Sequence, residues 1–123
     1  MILADTSVWI DHLRSGDPAL AAQLDIAAVA IHPFVIGEIA LGNLRQRKLV
    51  LDSLRDLPAV AIATDEEVMA FIETHRLHGQ GVGWVDVHLL ASVRLTSDCR
   101  LWTRDRNLGA VASSLGLAVS PEA

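Results

Sequence analysis

Met1-Ile2-Leu3-Ala4-Asp5-Thr6-Ser7-Val8-Trp9-Ile10-Asp11-His12-Leu13-Arg14 is the stretch that decides the fold. Ile2-Leu3-Ala4 is short and apolar and runs straight into polar turn chemistry, so it reads as a buried strand. Ser7 to Arg14 reads as a helix, with Val8, Trp9, Ile10 and Leu13 supplying its apolar positions. A buried strand feeding a helix is the first unit of an alternating α/β chain.

The alternation continues outward from there. Asp17-Pro18 is a helix start, an acidic N-cap followed by proline at the first helical position, and that helix runs to about Asp25. Ala28 to Ile31 is a second strand. Pro33 opens a helix through Leu41, and Arg45 to Leu57 is another, with Leu49, Leu51, Leu54 and Leu57 near helical spacing. Val60 to Ile62 reads as a third strand. Thr64 with Glu67 forms a capping box ahead of a helix through Leu77. His78 to Gly83 carries Gly79, Gly81 and Gly83 and is a loop, followed by a helix from about Val85 to Leu95. Arg100 to Thr103 is a fourth strand, Asn107 to Leu115 a helix stopped by Gly116, and Leu117 to Val119 a last strand. The pattern predicts an α/β fold, a mainly parallel sheet flanked by helices, in one domain over residues 1–123. In such sheets functional groups collect beyond the carboxyl ends of the strands.

Composition narrows the class. Hydrophobic residues make up 51% of the 123, which predicts a packed interior rather than disorder. The most apolar stretch, Ile26 to Leu44, is broken by His32, Pro33, Glu38 and Asn43, so it is no membrane span. The N-terminus meets Asp5 at once and lacks a basic region, unlike a signal peptide. The lone Cys99 makes neither an internal disulfide nor a zinc site and fits a reducing cytoplasm. A net charge of −5 argues against tight, non-specific nucleic-acid binding. It leaves open an enzyme acting on a phosphodiester, because bound cations invert the local charge of a carboxylate cluster.

Most of the acids have ordinary explanations. Asp17 caps a helix, Asp65, Glu66 and Glu67 occupy a first helical turn, and Asp52, Asp56 and Glu73 suit solvated faces. Four fit less well. Asp5 directly follows the first strand, and Glu38 sits in the apolar helix Phe34-Val35-Ile36-Gly37-Glu38-Ile39-Ala40-Leu41. Asp86 follows the glycine-rich loop, and Asp105 follows the fourth strand. Clustered or buried carboxylates are costly without a compensating cation. Oxygen ligands with no paired His or Cys favour Mg²⁺ or Mn²⁺ over Zn²⁺. Local readings compete: Asp5 and Asp105 as helix caps, Glu38 as the partner of Arg45 or Arg76, and Asp86 as a first-turn dipole residue. Pattern alone therefore reaches an acidic metal site as one of two readings.

The same residues resemble a family. Asp5-Thr6-Ser7 after an N-terminal strand resembles the opening motif of PIN domains, and Glu38 in its apolar helix resembles the second acid. Gly83-Trp84-Val85-Asp86-Val87-His88-Leu89-Leu90-Ala91 resembles the third-acid helix, and Leu101-Trp102-Thr103-Arg104-Asp105-Arg106-Asn107-Leu108 the fourth-acid segment. Length and motif order are similar to the VapC toxins, the nuclease half of VapBC toxin–antitoxin pairs, and all four acids are present. The resemblance implies a parallel sheet flanked by helices, an RNA substrate, a cognate VapB-type antitoxin and, in many members, a homodimer.

On this reading Asp5, Glu38, Asp86 and Asp105 hold Mg²⁺ or Mn²⁺, partly through water, and an activated water attacks the phosphodiester in line. The resemblance implies products with a 5′-phosphate and a 3′-hydroxyl. Thr6, Ser7 and Thr103 are candidates to orient carboxylates or bound water, or else ordinary strand-end and cap residues. Arg104 and Arg106 are candidates to meet phosphate, or else surface charges. Arg45, Arg47 and Lys48 form the densest basic cluster, read equally well as a solvated helix surface. His88, two residues from Asp86, points to a different helix face. Trp9, Trp84 and Trp102 read as core. Two other function classes compete: a non-catalytic PIN-like module that binds RNA or protein, and a phosphatase using Asp5 as nucleophile. The latter lacks the usual Asp-x-Asp opening.

Overall fold

β1 (Ile2–Ala4) is the middle strand of a parallel sheet, flanked by β2 (Val29–Ala30) and β3 (Arg100–Trp102). Ile2 pairs with Val29 and Arg100, Leu3 with Ala30 and Leu101, and Ala4 with Trp102. Leu3, Ala4, Val29, Ala30 and Leu101 are all buried. A strand covered on both faces needs an unbroken apolar run rather than an alternating one, which is what Ile2-Leu3-Ala4 supplies. The computed structural model describes residues 1–119; residues 120–123 of the expected domain lie outside the described residues.

Parallel neighbours require crossover connections. α1 (Thr6–Ser15) and α2 (Pro18–Asp25) link β1 to β2. α3 (Pro33–Ala40), α4 (Arg47–Arg55), α5 (Asp65–His75) and α6 (Trp84–Leu95) link β2 to β3, and α7 (Arg106–Ser114) follows β3. Leu20, Val35, Leu89, Leu90 and Leu108 are fully buried between these helices and the sheet. Each such leucine contributes about 1.5–3 kcal/mol through burial. Trp9 and Cys99 join this core. Trp102 is half-buried beneath the Arg104 guanidinium, whereas Trp84 is 45% exposed and is not the core residue the sequence predicts.

The caps form as the sequence predicts. Asp17 Oδ1 accepts the Leu20 N–H at 3.0 Å. In the capping box, Thr64 Oγ1 accepts from Glu67 N at 3.1 Å and Glu67 Oε1 accepts from Thr64 N at 2.9 Å. Gly116 takes φ +71° and lets Leu117 N–H reach back to Ala112 O at 2.9 Å, closing α7.

Elsewhere tertiary structure overrides the pattern. α4 starts at Arg47, not Arg45, because Gln46 turns left-handed at φ 51°. The Arg47 guanidinium then donates to Ala40 O at 2.6 Å and Gly42 O at 3.2 Å, capping α3. α5 stops at His75 rather than Leu77, because Arg76 turns left-handed and Leu77 N–H bonds to Ile72 O. The strand expected over Val60 to Ile62 reduces to one bridge, Ile31 with Ala59. Past Val60 the chain leaves the sheet: Ala61 N–H goes to Thr96 Oγ1 at 2.9 Å and Ala63 N–H to Ser92 Oγ at 3.3 Å. Hydroxyls from the end of α6 thus replace a strand partner. The last expected strand likewise pairs once, Ala118 with Leu101.

Because the strands are parallel, β1 and β3 end on the same side of the sheet. Asp5 N–H continues the ladder to Trp102 O at 3.0 Å. Asp5 and the Thr103–Asp105 segment therefore emerge side by side.

Candidate metal centre

Asp5 is buried at 6% exposure and accepts four hydrogen bonds. Its Oδ1 accepts from Ser7 N at 3.0 Å, Ser7 Oγ at 2.5 Å and Val8 N at 3.3 Å, capping α1. Its Oδ2 accepts from Thr103 Oγ1 across the β1–β3 junction. Thr103 Oγ1 in turn accepts the Asp105 N–H at 3.0 Å, so one hydroxyl touches both motif acids. Asp105 Oδ1 caps α7 through Leu108 N at 2.8 Å. The capping readings of Asp5 and Asp105 therefore hold. They do not exclude a ligand role, since each carboxylate oxygen has more than one lone pair.

Glu38 lies in α3 and is exposed, not buried as its apolar surroundings suggest. Its partner is neither Arg45 nor Arg76: Oε1 accepts from Thr6 Oγ1 at 2.6 Å. Thr6 opens α1, so this bond ties α1 to α3 beside Asp5. Each of Thr6, Ser7 and Thr103 thus touches at least one of the four acids.

Asp86 occupies the first turn of α6, and its Oδ2 accepts from Gly83 N at 3.1 Å. Burial raises its pKa above the ordinary value, opposed by the Gly83 N–H. The negative charges of Asp105, Asp5 and Glu38 push it up further, in that order. The four carboxylates thus share one field, although they stand on four separate stretches of chain.

Among the described residues, no three Asp, Glu, His or Cys side chains form a ready-made cage. Each acid is instead engaged by Ser7, Thr6, Thr103 or a helix N–H group. The donor set fits a hard cation that retains much of its water and takes one or two carboxylates, as Mg²⁺ does. It does not fit a closed tetrahedral zinc site, which needs four direct N or S ligands.

The flanking cations differ from one another. Arg104 is committed: Nη1 donates to Asp11 Oδ2 at 2.6 Å, Nη2 pairs with Asp17, and its backbone N–H donates to Ser7 Oγ at 2.9 Å. These bonds pin the β3–α7 turn to α1 and α2. The same pair holds the Asp17 carboxyl below its usual range. Arg106 is exposed at the start of α7. Of the basic cluster, Arg47 caps α3, Lys48 pairs with Asp52 at 2.7 Å, and Arg45 lines a groove. That groove, about 580 Å³, runs between α1, α3 and α4, with Ile10, Leu13, Ile39 and Val50 as apolar lining and Glu38 among its walls.

His88 is buried away from the acids. Its ring meets Phe34 at 4.8 Å and Trp84 at 4.6 Å, and Nε2 lies 3.3 Å from Asp65 Oδ1 without hydrogen-bond alignment. His32 is buried beside it. Its Nδ1 accepts the Phe34 N–H at 2.9 Å, capping α3, and burial pushes its pKa down to about 4.

One contact near the acids has no local signature in the sequence. Asn107 Nδ2 donates to Gly81 O at 3.3 Å, joining positions 26 apart. Only the fold reveals that the glycine-rich loop rests on the segment after Asp105.

The chain matches the PIN domain family over residues 2–113. It is 46% identical over 122 residues to Ribonuclease VapC32 of Mycobacterium tuberculosis, in both strain CDC 1551 / Oshkosh and strain ATCC 25618 / H37Rv. That alignment covers 99% of this chain and 98% of the relative. With a three-stranded parallel sheet flanked by helices, and these matches along nearly its whole length, the chain belongs to the PIN domain family, in its VapC branch.

Proposed function

We propose that this chain is a Mg²⁺-dependent endoribonuclease, with Mn²⁺ as an alternative cation, and the toxin of a type II VapBC pair. The observation that carries the reading is the hydrogen-bonded grouping of the acids: Thr103 Oγ1 joins Asp5 and Asp105 where β1 and β3 end, and Thr6, next to Asp5, holds Glu38. The relative named a ribonuclease supports the substrate class.

When bound, the divalent cation supplies water activation and charge stabilisation at the phosphoryl group. The protein's own part is positioning. Ser7 and Thr103 fix the two oxygens of Asp5, and Thr6 fixes Glu38. The Gly83 N–H holds one oxygen of Asp86, leaving the other for the cation or its water. Arg106 meets substrate phosphate from the start of α7. Arg104 reaches phosphate only by giving up Asp11 and Asp17. The acids alone repel a polyanion, so substrate binding is tied to cation binding.

The groove beside Glu38 suits a VapB-type antitoxin segment with apolar side chains and one cation. Such a segment blocks substrate and competes with metal. The chain acts in the cytoplasm and assembles as a homodimer. No helix among the described residues is long and apolar enough to cross a membrane.

The test is cleavage of total RNA with Mg²⁺, with EDTA, and in folded Asp5→Ala and Asp105→Ala variants. Cleavage by the parent with Mg²⁺ that is lost in EDTA and in both variants supports the reading. Cleavage that persists in EDTA, or in both variants, overturns it. Metal-dependent RNA binding without cleavage would indicate a non-catalytic module.

A further inference from the structure

We propose that Asn107 and Gly81 form a strut that sets the separation of Asp86 and Asp105, making Asn107 a positioning residue for the metal centre. The inference rests on the reading of those two acids as metal-holding groups.

The two acids stand at the N-terminal ends of different helices, α6 and α7, and their charges repel. A position has to be imposed on them while no cation bridges the gap. Asn107, the second residue of α7, donates from Nδ2 to Gly81 O at 3.3 Å. Two residues beyond Gly81, the Gly83 N–H donates to Asp86 Oδ2 at 3.1 Å. A short path therefore runs from Asp105 through Asn107, Gly81 and Gly83 to Asp86.

The contact is too close to be incidental. A Cβ added at Gly81 lies 2.5 Å from Asn107 Nδ2 and 3.2 Å from its Cγ, so the amide lies against the glycine backbone. Gly81 also holds φ +76°, a conformation costly for other residues. Both the backbone angle and the absent side chain are thus used at one position. Without the strut, the loop containing Gly79, Gly81 and Gly83 is left to the Gln80 Nε2 bond to Arg76 O at 2.9 Å, the Gly83 N–H bond to Asp86 and the packing of Val82. Asp86 stays on the packed helix α6, but the Gly83 N–H that orients its carboxylate would then come from a looser loop.

The experiment compares Asn107→Ala, Gly81→Ala and the double variant with the parent chain. Mn²⁺ affinity is measured by calorimetry, amide exchange over residues 78–83 in EDTA, and RNA cleavage across a Mn²⁺ series. Asn107→Ala is expected to fold, because the residue is exposed, to exchange faster in the loop, and to bind Mn²⁺ roughly tenfold more weakly. Its cleavage rate recovers in excess Mn²⁺, whereas that of Asp105→Ala does not. Gly81→Ala is expected to lose more affinity, and the double variant to be no worse than Gly81→Ala alone, since the two residues share one contact. A folded Asn107→Ala chain that binds Mn²⁺ as tightly as the parent, with unchanged loop exchange, overturns the strut and leaves the metal reading intact. A parent chain that binds no Mn²⁺ or Mg²⁺ overturns both.

Discussion

Thr103→Val tests how the site is held. Valine keeps the side-chain shape and removes the hydroxyl that donates to Asp5 Oδ2 and accepts from Asp105 N–H. Asp5 is 6% exposed, so water replaces the lost donor poorly. A hydrogen bond to a charged group contributes about 1.5–3 kcal/mol. The Asp105 N–H is exposed and can turn to water, so it adds little. The expected loss in metal-free protein is therefore about 2 kcal/mol, or roughly 5–10 °C in melting midpoint for a domain of this size. A second effect follows if the hydroxyl also aims Asp5 at the cation. Binding roughly tenfold weaker removes about 1.4 kcal/mol of ligand stabilisation in excess Mn²⁺. The gap between parent and variant should then widen when the cation is added. Melts in EDTA and in saturating Mn²⁺, with Thr103→Ser as the hydroxyl-bearing control, measure both effects. A gap that is the same with and without Mn²⁺ makes Thr103 a strand-end residue only. No gap in either condition refutes the hydrogen-bond argument itself.

Two further outcomes are expected. Asp86 has a raised pKa, so its protonated form favours folding at low pH and that contribution is lost as pH rises through the raised value. At neutral pH in EDTA, Asp86→Asn should accordingly be more stable than the parent by urea midpoint. The ranking should reverse in excess Mg²⁺, and a variant less stable in both conditions counts against repulsion among the acids. His32 shifts the other way: with its pKa lowered from 6.5 to about 4, the unfolded chain takes the proton first. The parent should lose about 3 kcal/mol between pH 6.5 and 4 through this group. His32→Asn keeps an α3 cap and does not titrate, so its disadvantage at pH 7.5 should shrink as pH falls. Parallel stability curves for the two chains would rule this out.

Much of the fold was legible because its signals are local. The apolar run Ile2-Leu3-Ala4, the Asp17-Pro18 start, the Thr64–Glu67 box and the Gly116 stop each act within a few residues. Such signals work in any chain that lets helices and strands form. The strand expected at Val60 to Ile62 failed for the opposite reason. After Val60, the Ala61 N–H is claimed by Thr96 and the Ala63 N–H, just past the expected strand, by Ser92, some thirty residues away. β-propensity states only that a segment suits an edge, not whether a hydroxyl will compete for it.

The site divides along the same line. Asp5, Asp86 and Asp105 are conspicuous because each follows a strand or loop inside a family-like motif, and Glu38 because it is an acid in a helix where apolar residues are expected. The sequence by itself determined which acids stand at element boundaries and in what order. It could not say that Thr103 and Asp5, 98 positions apart, share a hydrogen bond. Nor could it say that Thr6 holds Glu38, that Arg104 is spent on Asp11 and Asp17, or that Asn107 reaches Gly81. Only the tertiary structure decides these. By ending β1 and β3 on the same side, it brings separately encoded carboxylates into one field, where their charges act across space rather than along the chain.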